Sequence, residues 1–230
     1  MIETIALDAD DTLWHNEVHY SLSQDKFAAL LAPYCAAKAV ENKLYETEMR
    51  NLRLFGYGTK GFVLSMIETA IELSDGRIGG AEIRQIIDSG KAMLNADIQL
   101  LPHVQETLAT LCASYKLMII TKGDLFDQES KIARSGLAHY FQHIEIVSDK
   151  SQPTYKNLLA KYGIKPQHFL MAGNSLKSDV LPVIAIGAKA AHVPYQITWA
   201  HETAPDLDPV KKEYYELEHL GQLPDLVKSL

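Results

Sequence analysis

A break in hydrophobic period decides what this chain can fold into. One short β-leaning run, Thr4 to Leu7, is followed by a long stretch of helical period with no convincing strand, and strands and helices alternate only from Leu100 onward. In the first stretch apolar residues recur three and four apart: Phe27, Leu30 and Leu31; Tyr45, Met49 and Leu52; Phe62, Met66 and Ala70; Ile83, Ile86, Ile87 and Met93. That spacing predicts about four helices, with loops at Gly56-Tyr57-Gly58, Asp75-Gly76 and Gly79-Gly80. In the second, Val104, Leu108 and Leu111 mark a helix, Leu117 to Ile120 a strand, Ile144 to Val147 a strand, and Tyr155 to Tyr162 a helix. Phe169 to Ala172 reads as a further strand, Ser175 as the cap of the next helix, and Ala190 to Val193 as the last strand. Strands joined by helical crossovers make a parallel sheet with ligands at its carboxyl edge. The expected fold is therefore α/β, a doubly wound parallel sheet with an inserted all-helical segment.

The length of 230 residues agrees, being about 1.5 times a typical domain of roughly 150 residues. With 47% hydrophobic and 22% charged residues the chain can bury a core without disulfides or a structural metal. A net charge of -7 and the lack of any run of five basic residues argue against nucleic acid as a partner. The longest apolar stretch, Phe27 to Ala37, has 11 residues and contains Pro33, whereas a bilayer span needs about 20. The chain opens on Glu3 and a strand-like run rather than a basic leader, so a cytoplasmic location is expected. Cys35 and Cys112 are expected to be buried, reduced thiols.

In a parallel sheet the chemistry collects just after the strands, and here those positions hold Asp8 and Asp10, then Thr121 and Lys122, then Lys150, then Gly173, Asn174 and Asp179. Asp8 and Asp10 are two apart, so if strand geometry persists they face the same side. Carboxylates that close repel unless a cation sits between them or one keeps a proton. Magnesium meets that need, because it takes hard oxygen ligands and shares them with phosphate. Thr121 and Lys122 offer a hydroxyl and backbone N–H donors to a phosphoryl group, and Lys150 an ammonium. Each motif alone has an ordinary reading: an acidic turn, Gly-Asp turn chemistry in TKGD, a surface lysine, a helix start at Asn174 to Asp179. Lys156, the nearby competitor of Lys150, falls inside a helix.

The ordered set DADDT, IITKGD, the lysine of VSDKS, and GNSLKSD resembles the four motifs of the haloacid dehalogenase (HAD) superfamily across the whole chain. The resemblance implies a Rossmann-like HAD core from residues 1–14 and 99–230, with residues 15–98 as an all-helical cap. It implies Asp8 as nucleophile, forming an aspartyl-phosphate, and Asp10 as general acid and then base, its backbone carbonyl also binding magnesium. Thr121 and the Lys122 amide would hold the phosphate beside Asp8, Ala9 and Asp10, and Lys150 would orient Asp8. Asn174 and Asp179 would complete the metal site directly or through water. One departure stands out: metal-dependent members commonly carry aspartate where this chain has Asn174, and the superfamily's metal-free dehalogenases use asparagine in this region. Those dehalogenases lack the second aspartate of the first motif, because a halide leaves without a proton, so Asp10 favours a phosphate ester.

The implied function is a magnesium-dependent phosphatase acting on a small phosphorylated metabolite, with a haloacid dehalogenase, a phosphomutase and a non-catalytic phospho-ligand binder as alternatives. In the cap, the loop Gly56 to Lys60 resembles a specificity loop by position, with Arg53, Tyr57 and Lys60 as candidates. His15 and Asn16 lie where the superfamily's hinge would be, and His15 is a further substrate candidate. Tyr195, Trp199 and His201 follow the last strand, and the run Lys211-Lys212-Glu213 reads as a solvated face. Oligomeric state is left open.

Overall fold

A computed structural model describes residues 1–197, 199, 202 and 214–230. His201 and Lys211 to Glu213 lie outside the described residues. The chain divides into two compact units: an α/β unit of Met1–Glu17, Ile98–Lys122 and Gln128–Leu230, and a helical unit of Val18–Asp97 with Gly123–Asp127.

The α/β unit is built on a six-stranded sheet of β1 (Thr4–Leu7), β2 (Lys116–Lys122), β3 (His143–Val147), β4 (Phe169–Gly173), β5 (Lys189–His192) and β6 (Tyr215–Glu216). The order is β3-β2-β1-β4-β5-β6 and every pairing is parallel, with Leu7 level with Ile119 on one side and Ala172 on the other. Each strand alternates between two cores, as period 2 requires. Ile5, Leu7, Leu117, Ile119, Leu170 and Ala172 pack with helices α5 (Val104–Leu111), α6 (Leu125–Ser135) and α9 (Leu223–Lys228). Ala6, Met118, Ile120, Phe169 and Met171 pack with α7 (Gln152–Lys161) and α8 (Leu181–Ile184). The sheet is thus wound on both faces, and its order reverses at β1, so Asp8 emerges at the crevice between β1 and β4.

The helical unit contains α1 (Glu17–Leu30), α2 (Ala37–Phe55), α3 (Thr59–Leu73) and α4 (Gly80–Asn95). Its own core joins Phe27, Leu31, Val40, Leu44, Phe62, Met66, Ala70 and Ile86. The expected stripe holds in α1, α3 and α4, but α2 buries Val40, Leu44, Thr47 and Asn51 instead of Tyr45, Met49 and Leu52, of which Tyr45 is exposed. Arg50 and Asn51 of α2 bond Glu68 of α3 at 2.6 and 2.7 Å.

Several expectations change. The expected loop Gly56 to Lys60 is shorter, because α3 already starts at Thr59. The helix that Ser175 was to cap begins as a π-helical turn over Leu176–Val180. Cys112 is exposed and Cys35 half-buried, against the expectation of buried thiols. Cys112 follows the last turn of α5, whose buried face ends at Leu111. Among the described residues no helix is long and apolar enough to cross a membrane.

Candidate active site

Because all strands run the same way, four separate stretches of sequence meet at one edge of the α/β unit. Asp8 follows β1, Thr121 and Lys122 end β2, Lys150 lies in the loop after β3, and Asn174 follows β4. Asp8 N donates to Ala172 O at 2.9 Å, tying the first motif to the end of β4. The chain then turns sharply: the Ala9 carbonyl accepts Thr12 N at 3.2 Å and Leu13 N at 2.8 Å, and Asp11 takes a left-handed φ of 61°. Aspartate tolerates that conformation, and its carboxylate accepts Asn16 N at 2.8 Å and Glu17 N at 3.0 Å, capping the start of α1.

Lys150 lies between two buried carboxylates. Its Nζ donates to Asp8 Oδ1 in a short contact and to Asp179 Oδ1 at 2.6 Å. Burial works against the Lys150 ammonium, but Asp179 and Asp8 outweigh it and hold the group above the ordinary lysine range. Burial likewise pushes Asp8 above the ordinary carboxylate range, with Lys150 opposing and the charges of Asp179 and Asp10 adding to the rise. Asp179 is fixed by a reciprocal cap: its Oδ2 accepts Ser175 N at 2.9 Å, and Ser175 Oγ accepts Ser178 N at 3.0 Å. Gly173 makes this possible, since a Cβ there would lie 2.3 Å from Asp179 Oδ2. Lys156 sits within α7, as the sequence indicates.

Asp10 has partners other than those of Asp8, in the turn that follows the end of β1 at Leu7. Trp14 Nε1 donates to Asp10 Oδ1 at 2.7 Å and Gln128 Nε2 to Oδ2 at 2.8 Å, while Lys131 Nζ reaches Oδ1 and Oδ2 at 2.8 and 2.7 Å. Burial opposes the Asp10 charge, but Lys131 and these donors prevail and hold the carboxyl below its ordinary range. Gln128 and Lys131 are three apart on α6, a helix that the sequence reading passes over.

Thr12 links the first and fourth motifs. Its Oγ1 lies 3.3 Å from Asp8 Oδ2 and 3.4 Å from Asn174 Oδ1, and accepts Asn174 N at 3.1 Å. The Lys122 side chain donates to Ser178 Oγ at 2.9 Å and to Glu202, which also accepts from Ser178 Oγ at 2.6 Å and from Ser175 Oγ. Burial opposes the Glu202 charge, but Lys122 and the two serines outweigh it, and the carboxyl lies at about 2. Nothing in the local pattern around Glu202 signals this role. His15 belongs to the α/β unit and meets Tyr195 OH through Nδ1 at 2.6 Å. Arg53, Tyr57 and Lys60 belong to the helical unit, where Lys60 Nζ donates to Asp124 Oδ1 at 2.9 Å.

The sequence profile of the haloacid dehalogenase-like hydrolases matches residues 2–187. The chain belongs to that family. Among solved structures of such hydrolases, one from Xanthomonas campestris is 39% identical, with a TM-score of 0.89 over 99% of this chain and 91% of its own. Two curated proteins named glyceraldehyde 3-phosphate phosphatase are similar over 136 residues, 56% of this chain: one of Methanothermobacter thermautotrophicus at 29% identity and one of Pyrococcus furiosus at 30%. The chain spans 58% and 53% of their lengths, little more than half. The HAD-like hydrolase fold accounts for the parallel sheet and for the convergence of the four motifs at its edge.

Proposed function

We propose that this hydrolase is a phosphatase that cleaves a small phosphorylated metabolite through an aspartyl-phosphate on Asp8. The observation that carries the reading is the pair of differently held carboxylates: Asp8 against Lys150, and Asp10 anchored separately by Trp14, Gln128 and Lys131. Two carboxyl groups in unlike surroundings suit two roles. Without substrate, burial raises Asp8 and Lys131, against burial, lowers Asp10, so these roles require a bound cation to draw Asp8 down and the arriving phosphate dianion to draw Asp10 up. The likeness to the two glyceraldehyde 3-phosphate phosphatases points the same way.

In this reading Asp8 Oδ attacks phosphorus as the bond to the leaving oxygen breaks, and that oxygen takes a proton from Asp10. A water then attacks the aspartyl-phosphate and returns its proton to Asp10, which releases phosphate and restores Asp8. Lys150 orients Asp8 and offsets charge on the transferring group, while Thr121 and the main chain of Ala9, Asp10 and Lys122 bind phosphate oxygens. With residues 15–98 as the cap and 1–14 and 99–230 as the core, Arg53, Tyr57, Lys60 and His15 would select the substrate.

The charges around Asp8 fit a divalent cation. Asp8, Asp10 and Asp179 are opposed by Lys131 and Lys150, leaving an excess of negative charge before a phosphate dianion arrives. Asp8 Oδ2 and Asn174 Oδ1 approach one hydroxyl, Thr12 Oγ1, so both oxygens face one place. Asp179 has both oxygens engaged, by Lys150 and by Ser175 N, which makes Asn174 the better direct ligand and Asp179 an indirect one. Among the described residues no group of three His, Cys, Asp or Glu forms a metal cage. The ion would be held by Asp8, the Asp10 carbonyl and Asn174 with waters and substrate oxygens, the habit of magnesium. When bound, it supplies charge neutralisation on the phosphoryl group.

The test is phosphate release from an aryl phosphate and from a panel of phosphorylated metabolites. Activity should require magnesium, disappear with chelator and disappear in Asp8→Asn. Halide release from 2-haloacids without phosphate release on any ester would overturn the reading, and saturable binding without turnover would mark a non-catalytic binder.

A further inference from the structure

Lys131 is a buried cation that the reaction scheme above does not use. It is 8% exposed on α6, a place where leucine would fill space without the cost of desolvating an ammonium and fixing a long side chain. Its Nζ touches both oxygens of one carboxylate, Asp10 Oδ1 at 2.8 Å and Oδ2 at 2.7 Å, and it reaches Asn16 Oδ1 at 3.3 Å. Gln128, one turn earlier, gives Nε2 to Asp10 Oδ2 at 2.8 Å and to the Lys122 carbonyl at 3.0 Å. Its own Oε1 is buried without a partner among the described residues, an arrangement that costs on the order of 1–3 kcal/mol. Both side chains are held at a local cost, and both end on Asp10.

We infer that Lys131, assisted by Gln128, is a positioning residue that aims Asp10 at the leaving oxygen of the substrate. The inference rests on the phosphatase reading and deepens it. Among the described residues each oxygen of Asp10 has one further donor, Trp14 Nε1 on Oδ1 and Gln128 Nε2 on Oδ2. A carboxyl group acting as acid must free one oxygen to carry the proton. Because Lys131 spans both, it keeps the plane and position of the group fixed when one of the other two bonds opens. Without it, Asp10 keeps its place in the sequence but loses its direction.

Such a role predicts which substrates suffer. A leaving alkoxide needs the proton from Asp10, whereas 4-nitrophenolate departs largely unaided. Lys131→Met should therefore lower kcat/KM for an alkyl phosphate on the order of 10²-fold, and that for 4-nitrophenyl phosphate less than about tenfold. Lys131→Arg, which keeps a cation at the position, should recover most of the alkyl activity. Gln128→Leu should shift the same ratio in the same direction by a smaller amount, and it stands in if Lys131→Met fails to fold. Equal losses on both esters, or no loss on either, would overturn the inference while leaving the phosphatase reading intact.

A second readout needs no turnover. The chain has 2 tryptophans, so its indole N–H region is simple, and Trp14→Phe assigns the Trp14 signal. In Lys131→Met the Trp14 indole proton should move upfield as its bond to Asp10 loosens, and in Lys131→Arg it should stay near the wild-type position. An unmoved Trp14 signal in Lys131→Met refutes positioning by Lys131 even if the wild type cleaves no phosphate ester. Failure of the wild-type enzyme on every ester, by contrast, counts against the phosphatase reading alone.

Discussion

Replacing Gly173 with alanine perturbs the carboxylate–lysine cluster by one methyl group. A Cβ at this position would sit 2.3 Å from Asp179 Oδ2, 2.4 Å from Cγ and 2.7 Å from Cβ, where ordinary contact begins near 3.4 Å. The Asp179 side chain must retreat by about 1 Å or more, and it cannot do so freely, because Lys150 Nζ holds Oδ1 at 2.6 Å and Ser175 N holds Oδ2 at 2.9 Å. Overpacking of this kind costs about 1–3 kcal/mol. For a chain of this size that lowers Tm by roughly 2–4 °C per kcal/mol. The catalytic consequence is larger: Lys150 loses its grip on Asp179 and shifts relative to Asp8, and a displacement near 1 Å costs on the order of 10²-fold in rate. Gly80→Ala is the control, since nothing lies within 4 Å of a Cβ there and the residue opens α4; it should leave Tm unchanged or slightly raised. Thermal melting and phosphate release on both variants decide the matter. Wild-type kcat and Tm in Gly173→Ala would refute the assigned geometry of Asp179, and with it the claim that Lys150 is held from two sides.

Two further predictions concern the helical unit. A Cβ at Gly90 of α4 would lie 2.2 Å from Val63 Cγ2 of α3, so Gly90→Ala should cost about 1–3 kcal/mol, and Val63→Ala in the same chain should restore part of it in thermal melts. Burial alone pushes the Glu48 carboxyl from 4.5 up to about 7. A carboxyl raised on folding binds its proton longer in the native state, so stability is fully present below about pH 4.5 and falls as pH rises through 7, by on the order of 1–3 kcal/mol. Glu48→Gln should flatten that slope between pH 5 and 8 in denaturant titrations, and parallel slopes in wild type and variant would contradict it.

The fold was legible where burial has a period. β1 matches the expected run residue for residue, and α1, α3 and α4 bury apolar positions that recur three and four apart, whereas in α2 the stripe Tyr45, Met49 and Leu52 lies beside the buried one because Thr47 and Asn51 take its inner face. β6 could not be read that way, because two residues, Tyr215 and Glu216, carry no period. α6 was missed for a related reason: Leu125 and Phe126, the apolar residues that open it, are 59% and 73% exposed, while Gln128 and Lys131 are buried. Its composition therefore contradicts its burial, and a reading based on apolar spacing finds no helix there.

The same contrast separates the parts of the site. Residues at strand ends were found because parallel pairing forces the ends of β1, β2 and β4 to one edge, whatever their side chains do. Side-chain direction obeys a different rule. Asp8 and Asp10 look equivalent at a spacing of two, yet Asp11 at φ 61° and the turn onto the Ala9 carbonyl send them to different lysines. Aspartate at the turn gives no sign of this, since it is compatible with both extended and left-handed backbone. Two buried acids with one shared cation would titrate as a pair, whereas two acids with a lysine each can hold different charges at one pH. The separate pairing of the two acids thus depends on Lys131, contributed by a helix far along the chain, as much as on the first motif itself.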